Sequence, residues 1–321
     1  MPLKIAATLL IIGWILLLGF TVQTASRTFF DDMRQFAGSI ITQPAPAPLS
    51  GDLAGKVIIL DAGHGAEDTN RFAGYDEQAV MLKLTLKLKE RLESMSAEVF
   101  LTRPDKHDLH LSVRSALINQ RALAELIGEG RGNDVELDRL IGIMQSVIDD
   151  PDTYAPVYFN FPFDYTYTRE IHEDLRLIFE YQEDPYIRDR FLMISLHSNA
   201  TGRPVSRNIR GVDIFHISND ISRNATYFAG YSNTERNLFF AETLMDAIDN
   251  IGLPKRRIQA YHYFVLREHN LPAVLVENGF HTNVDDREKL MDDDFLDELA
   301  NVYAETIVKY FNSIMRFGSD D

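Results

Sequence analysis

The 321-residue chain contains no cysteine. That absence excludes a disulfide framework and every cysteine-based metal cluster, so a metal would have to be held by histidine and carboxylate. Positive charge is also scarce: 32 Lys and Arg stand against 48 Asp and Glu, for a net charge of −16. With no Lys/Arg cluster read in that acidic background, the composition excludes nucleic acid as a partner. It equally disfavours non-specific adhesion to an anionic wall polymer. No internal repeat is visible, which removes solenoid and array architectures.

What remains is ordinary globular material, 45% hydrophobic and 25% charged, long enough for one large domain or two. Ile5 to Val22 is an uncharged apolar run just after Lys4. Its length is at the lower bound for a membrane-spanning helix and above the usual apolar region of a signal peptide. Residues 1–25 therefore read as a signal anchor, or as a signal peptide cleaved near Ala25, and either places the rest outside the cytoplasmic membrane, in the cell envelope or periplasm. Residues 26–52 read as a polar stalk followed by the proline-rich spacer Gln43–Ser50, and a catalytic domain is expected over 53–317.

Four strings carry chemistry: Asp61-Ala-Gly-His64-Gly65, Glu77, Ser195-Leu-His197-Ser-Asn199, and Glu277-Asn-Gly-Phe280. Lys56–Asp61, Phe191–Leu196 and Pro272–Val276 are short apolar runs of the kind that form buried parallel strands. His64, His197 and Glu277 follow them. In an open α/β sheet the crevice beyond the strands' carboxyl ends is where ligands bind. Two imidazoles and two carboxylates match the needs of a zinc hydrolase, three protein ligands with one position left for water and a further carboxylate to take the proton. Glycines flanking His64 suit close approach to a ligand. Glu77 alone would be an ordinary first-turn acid of a helix. Glu277, at the end of a buried strand, must be paired, hydrogen-bonded or near a metal. Its structural alternative is a salt bridge to Arg267 or Arg103.

Helices are expected over Glu77–Met95, Leu111–Leu126, Thr234–Ile251 and Phe295–Met315, and further strands over Ala97–Thr102, Gly211–His216 and Tyr263–Arg267. This alternation predicts an α/β three-layer sandwich around a mostly parallel sheet. The stretch 121–190 breaks the rhythm with a Gly-rich break, a helix near Val135–Ile148, the aromatic segment Tyr154–Tyr167 and a charged helix over Thr168–Gln182. It reads as an insertion rooted at the end of the sheet away from the crevice. Its default role is a peripheral subdomain or a docking surface for a protein activator, with Tyr154–Tyr167 as a groove wall and Glu170, His172 and Glu173 as a less favoured approach to the metal. Of the remaining histidines, His216 and His262 lie at expected strand ends; the others read as solvated or hydrogen-bonded.

These residues resemble the zinc-dependent N-acetylmuramoyl-L-alanine amidases of bacterial peptidoglycan. The resemblance rests on Asp61–Gly65, Gly74–Gln78, Leu101–Arg103, Leu111 with Arg114 and Asn119, Ser195–Asn199, Gly211–Phe215, Phe264–Arg267 and Pro272–Phe280, followed by Asn283, Asp286 and Leu290. It implies Zn²⁺ held by His64, Glu77 and His197, Glu277 as catalytic base, peptidoglycan as substrate, and hydrolysis of the amide between N-acetylmuramic acid and L-alanine. Asn199 or His262 would contact the substrate. Departures are Ala62 for proline, Gln78 for lysine, and the 121–190 stretch. Two other readings stay open: a catalytically silent, membrane-anchored peptidoglycan-binding scaffold, and a zinc carboxypeptidase acting on the same polymer.

Overall fold

The computed structural model describes residues 52–67, 70–159, 171–202, 208–218 and 231–317, with side chains to 314. The anchor and stalk readings over residues 1–51, much of the Tyr154–Tyr167 segment, and Glu170 lie outside them. Among the described residues no helix is long and apolar enough to cross a membrane.

The expected buried runs form β1 (Val57–Ala62), β5 (Phe191–Asn199) and β8 (Ala273–Phe280). With β4 (Glu98–Leu101) they make the parallel part of a six-stranded sheet, which β6 (Val212–His216) and β7 (Lys255–Ala260) extend in the order β4-β1-β5-β8-β6-β7. The α/β sandwich with a mostly parallel sheet is thus the observed architecture. Its other edge departs from expectation. β6 runs antiparallel to β8, and β7 pairs parallel to β6. A small antiparallel hairpin, β2 (Arg71–Phe72) and β3 (Tyr75–Asp76), leads into α1 (Glu77–Ser94).

Strand residues alternate between two apolar layers. Ile58, Leu60, Ile194, Val274 and Val276 pack under α1, α7 (Thr234–Asn250) and α10 (Asp293–Phe317). Val57, Ile59, Met193, Ala273 and Leu275 face the opposite layer, built on α2 (Leu111–Gly128). That second layer also contains α3 (Asp134–Asp149), α4 (Pro151–Tyr158), α5 (Glu173–Gln182) and α6 (Pro185–Arg188). Leu137, Leu140, Met144 and Ile178 from these helices share one buried cluster with the strands. The stretch 121–190 is rooted as expected: Val57 N–H donates to the Arg190 carbonyl, beside Phe191, at the end of β1 opposite His64. Its helices share the buried cluster of this layer and pack chiefly against α2, where a peripheral subdomain or docking surface was the expectation. A short helix, α9 (Val284–Met291), precedes α10, N-capped by Asn283.

Tyr263–Arg267 is not a strand. Phe264–Arg267 forms a single helical turn, α8, with Phe264, Val265 and Leu266 all buried. The aromatic and β-branched residues that suggest a strand are here used to fill the second layer, where Phe264 packs edge-on against Phe159.

Because the inserted helices share the sheet's core, truncating one buried side chain there should weaken the whole fold. Met144→Ala is expected to cost about 2–5 kcal/mol of unfolding free energy in a single cooperative denaturation. A separate early transition, with the main one unmoved, would show that the inserted helices fold as their own unit.

Candidate metal centre

The structure brings three of the sequence-nominated residues to one point. Ligand atoms of His64, Glu77 and His197 all lie within 4.8 Å of one another. His64 Nε2 stands 3.2 Å from Glu77 Oε2, and His197 Nδ1 stands 3.2 Å from Glu77 Oε1. Tetrahedral zinc with bonds near 2.0–2.1 Å sets its ligands about 3.3 Å apart, close to the two His–Glu77 separations.

Each group arrives by a different route. His64 follows β1 in a turn where its own φ is +57°, a left-handed conformation that is unusual for a non-glycine residue. Gly63 N–H donates to the Leu196 carbonyl, fastening the turn to β5. A Cβ at position 63 would collide with the His197 ring, so glycine there lets the two imidazoles approach, with ring centroids 5.1 Å apart. Glu77 is delivered as the first residue of α1 by the β2–β3 hairpin, whose two-residue turn puts Ala73 and Gly74 at positive φ.

Two buried arginines fix the His64 turn. Arg103 donates to the carbonyls of Ala62, Gly63 and Gln78, and Arg114 donates to those of Ala62 and His64. Arg114 also pairs with Asp61 at 2.9 Å, and Asp61 accepts from the Thr102 and Ser195 hydroxyls. Burial opposes the Asp61 charge, but Arg114 and the two hydroxyls outweigh it and hold the carboxyl down at about 2. The Glu77 carboxylate is held as well: Ser198 N–H donates to Oε1 at 2.8 Å and the Asn70 amide to Oε2. Despite full burial, its hydrogen bonds to His197 and His64 keep its pKa low.

Glu277 stands beside His197 in strand register. Its Oε2 is buried without a hydrogen-bond partner. Neither expected salt bridge forms: Arg103 is committed to the His64 turn, and Arg267 pairs with Glu268 at 2.7 Å. Burial pushes the Glu277 carboxyl up to about 7, against the pull of His197; Glu77 adds to the rise, His64 opposes it, and Asp213 adds again. An unpartnered buried carboxylate oxygen beside three convergent ligand atoms is the arrangement a cation and its water would complete.

The following residues hold this end of the sheet. The Asn278 amide donates to the His197 carbonyl, and the Tyr303 hydroxyl donates to Asn278. Gly279 has φ +95°, and Asp286 accepts from the N–H groups of both Phe280 and Gly211.

A cavity of about 490 Å³ opens over His64, His197 and Glu277. Residues 108–111 wall one side, and Tyr263, Phe264 and Val265 the other. The Asn199 amide is turned toward Asp213, at 3.0 Å, and does not line the cavity. His262 stacks on Tyr261 in the loop before α8, outside the lining. His216 ends β6, and because β6 is reversed, it lies at the end of the sheet away from His64. Burial lowers its pKa and that of His281. His281 stacks on Tyr75 and bonds Ser198. His172 caps α5, accepting from Asp174 N–H, and the described part of 121–190 brings no residue to the ligand triad.

The profile of the N-acetylmuramoyl-L-alanine amidase family matches residues 58–127 and 178–309, more than half of the chain. The chain belongs to this family. The helices between 128 and 177 fall between the matched segments. The chain is also similar to the N-acetylmuramoyl-L-alanine amidase AmiC of Neisseria meningitidis serogroup B, at 23% identity over 266 residues, 82% of this chain and 54% of AmiC. It therefore spans about half the length of that curated relative. Among solved structures, an N-acetylmuramoyl-L-alanine amidase from Clostridium difficile 630 matches with a TM-score of 0.50 at 18% identity, over 80% of this chain and 97% of the other. The apo form of Ami1 from Mycobacterium abscessus matches at 0.50 and 15%, over 80% and 99%. These likenesses establish a shared fold.

The pairing of Asp61 with Arg114 yields a stability prediction. The depressed carboxyl contributes stability that is fully present above about pH 4 and lost as pH falls toward about 2, on the order of 2 kcal/mol. Asp61→Asn leaves Arg114 buried without its counter-charge and should cost about 3–5 kcal/mol at neutral pH. Denaturant titrations at pH 7 and pH 3 check both, and a neutral Asp61→Asn would show that Arg114 is satisfied by the turn carbonyls alone.

Proposed function

We propose that the chain hydrolyses the amide joining the lactyl group of N-acetylmuramic acid to L-alanine in peptidoglycan, with Zn²⁺ held by His64, Glu77 and His197. The observation that carries this reading is the position of Glu277, a carboxylate with one buried, unpartnered oxygen, in register beside His197 and next to the candidate ligand triad. Membership of the amidase family supports the choice of bond.

Bound there, zinc would supply a Lewis acid that polarises the scissile carbonyl and lowers the pKa of water. Glu277 accepts a proton from the attacking water at its free oxygen. It returns that proton to the alanine nitrogen as the carbon–nitrogen bond breaks, so the amine leaves neutral and the carboxyl of the lactyl group is formed. Glu77 stays deprotonated and is oriented as the third ligand by the Ser198 N–H and the Asn70 amide. Arg103 and Arg114 hold the His64 turn so that its imidazole needs no rearrangement during turnover. The apolar wall of Phe264, Val265 and Leu275 limits water at the reacting bond.

His64→Ala and His197→Ala should each lose zinc and activity together, read by metal analysis and by cleavage of purified sacculi. Glu277→Gln should keep zinc and fold but lose about 10²–10⁴-fold in turnover, because an amide matches the shape and cannot accept the proton. Full zinc in both histidine variants, or near-parental turnover in Glu277→Gln, would contradict the assignment.

The substrate lies outside the cytoplasmic membrane, and the apolar run Ile5–Val22 with its proline-rich spacer suits a tethered, exported domain. Cell fractionation should find the chain in the envelope. Recovery from the cytoplasm would rule this localisation out.

A further inference from the structure

Lys255-Arg256-Arg257 interrupts the acidic background after all, in a run too short for nucleic acid, and it opens the outermost strand, β7. Since β6 and β7 run against β8, their N-terminal ends lie beside the carboxyl ends of β5 and β8. Strand register sets His197, Glu277, Asp213 and Arg257 in a row across four adjacent strands. A bulge between Val212 and Asp213 gives Arg256 no partner of its own in the β6–β7 register, and both arginines turn to the same carboxylate. Arg256 Nη1 donates to Asp213 at 2.8 Å, and Arg257 Nε stands 3.1 Å from the same carboxylate as an ion pair.

The donors outnumber what they serve. Asp213 is fully buried and also accepts from the Asn199 amide. Two guanidiniums bring about ten N–H groups and two charges to that one carboxylate. Among the described residues Asp213 is the sole carboxylate either arginine pairs with, whereas Lys255 is taken up by Asp246 and Asp249. The side chains remain 32% and 46% exposed. Each guanidinium lies over a ring, Arg256 over Phe280 and Arg257 over Phe215, which holds its plane in place before any ligand arrives.

We infer that Arg256 and Arg257, two strands beyond Glu277 and outside the cavity lining, form a carboxylate-binding site that takes an acidic group on the peptide of the cell-wall substrate. This rests on the hydrolase reading above for the identity of that substrate. At about 4.8 Å per strand, the Arg257 backbone is about 10 Å from that of Glu277. An extended peptide advances about 3.3 Å per residue. A peptide whose first nitrogen sits at Glu277 therefore brings the carboxylate of its second or third residue to the arginines. On a chain of net charge −16, this pair also offsets the repulsion an anionic substrate would meet.

The test uses the zinc-loaded full chain and two tripeptides that begin with L-alanine, one with free acids on its second and third residues and one with carboxamides there. Calorimetry should show the acid form binding about 10- to 100-fold more tightly, the usual size of a charge-assisted hydrogen bond. Arg257→Gln should erase that preference, and Arg257→Lys should restore part of it, with matched melting temperatures separating recognition from damage to the strand. Equal binding of the two peptides by the parent chain, or a preference that survives Arg257→Gln, overturns the inference. Because binding is read without turnover, a chain that cleaves sacculi yet ignores the carboxylates refutes this inference alone. A chain that prefers the acid and never cleaves refutes the hydrolase reading alone.

Discussion

The capture of the His64 turn by Arg103 and Arg114 is the constraint on which the centre depends. His64 sits at φ +57° on a segment without regular structure, a conformation that costs energy and would relax if the turn were free. The carbonyls of Ala62, Gly63 and His64 are each held by a buried guanidinium. Asp61 neutralises one of them from the preceding strand, and Thr102 and Ser195 tie that carboxylate to the strands on either side. The imidazole is therefore positioned by the sheet, through a chain of charge-assisted hydrogen bonds, and not by its own backbone. Breaking one link leaves a buried charge exposed to low dielectric, which is why the site and the fold stand or fall together.

Much of this was legible in the sequence because the decisive signals were local. Three apolar runs marked β1, β5 and β8, and the polar residue after each run marked the crevice. Glu77 was nominated by its company, and the hairpin that delivers it explains why a helix begins there. What local pattern could not supply was direction and partnership. Lys255–Ala260 begins with three charged residues, so nothing in it suggested a strand; it pairs only because β6 offers an edge. Tyr263–Arg267 carries strand-favouring side chains, yet the second layer needs their volume in a helical turn. The roles of Arg103 and Arg114 were not legible, because most of their hydrogen bonds go to backbone carbonyls, which no residue pattern reveals.

The 121–190 stretch shows the same limit. Its sequence breaks the strand–helix rhythm, and from that break alone it resembles an appendage. In the structure, Leu137, Leu140, Met144 and Ile178 pack on the α2 side of the layer and share one buried cluster with Val57, Met193 and Leu275. Leu275 also lines the cavity, two residues before Glu277 on the same face of β8. The added helices thus connect to the cavity through the packing of this layer, while the cavity lining includes residues 108–111 and 263–265.

The most direct measurement of the central claim is the fate of water oxygen during cleavage of a defined muropeptide. Reaction in ¹⁸O-enriched water, followed by mass spectrometry, should place one label in the lactyl carboxyl of N-acetylmuramic acid and release a peptide that begins with unlabelled alanine. Label in a peptide carboxyl, with the bond from N-acetylmuramic acid to alanine intact, would contradict it.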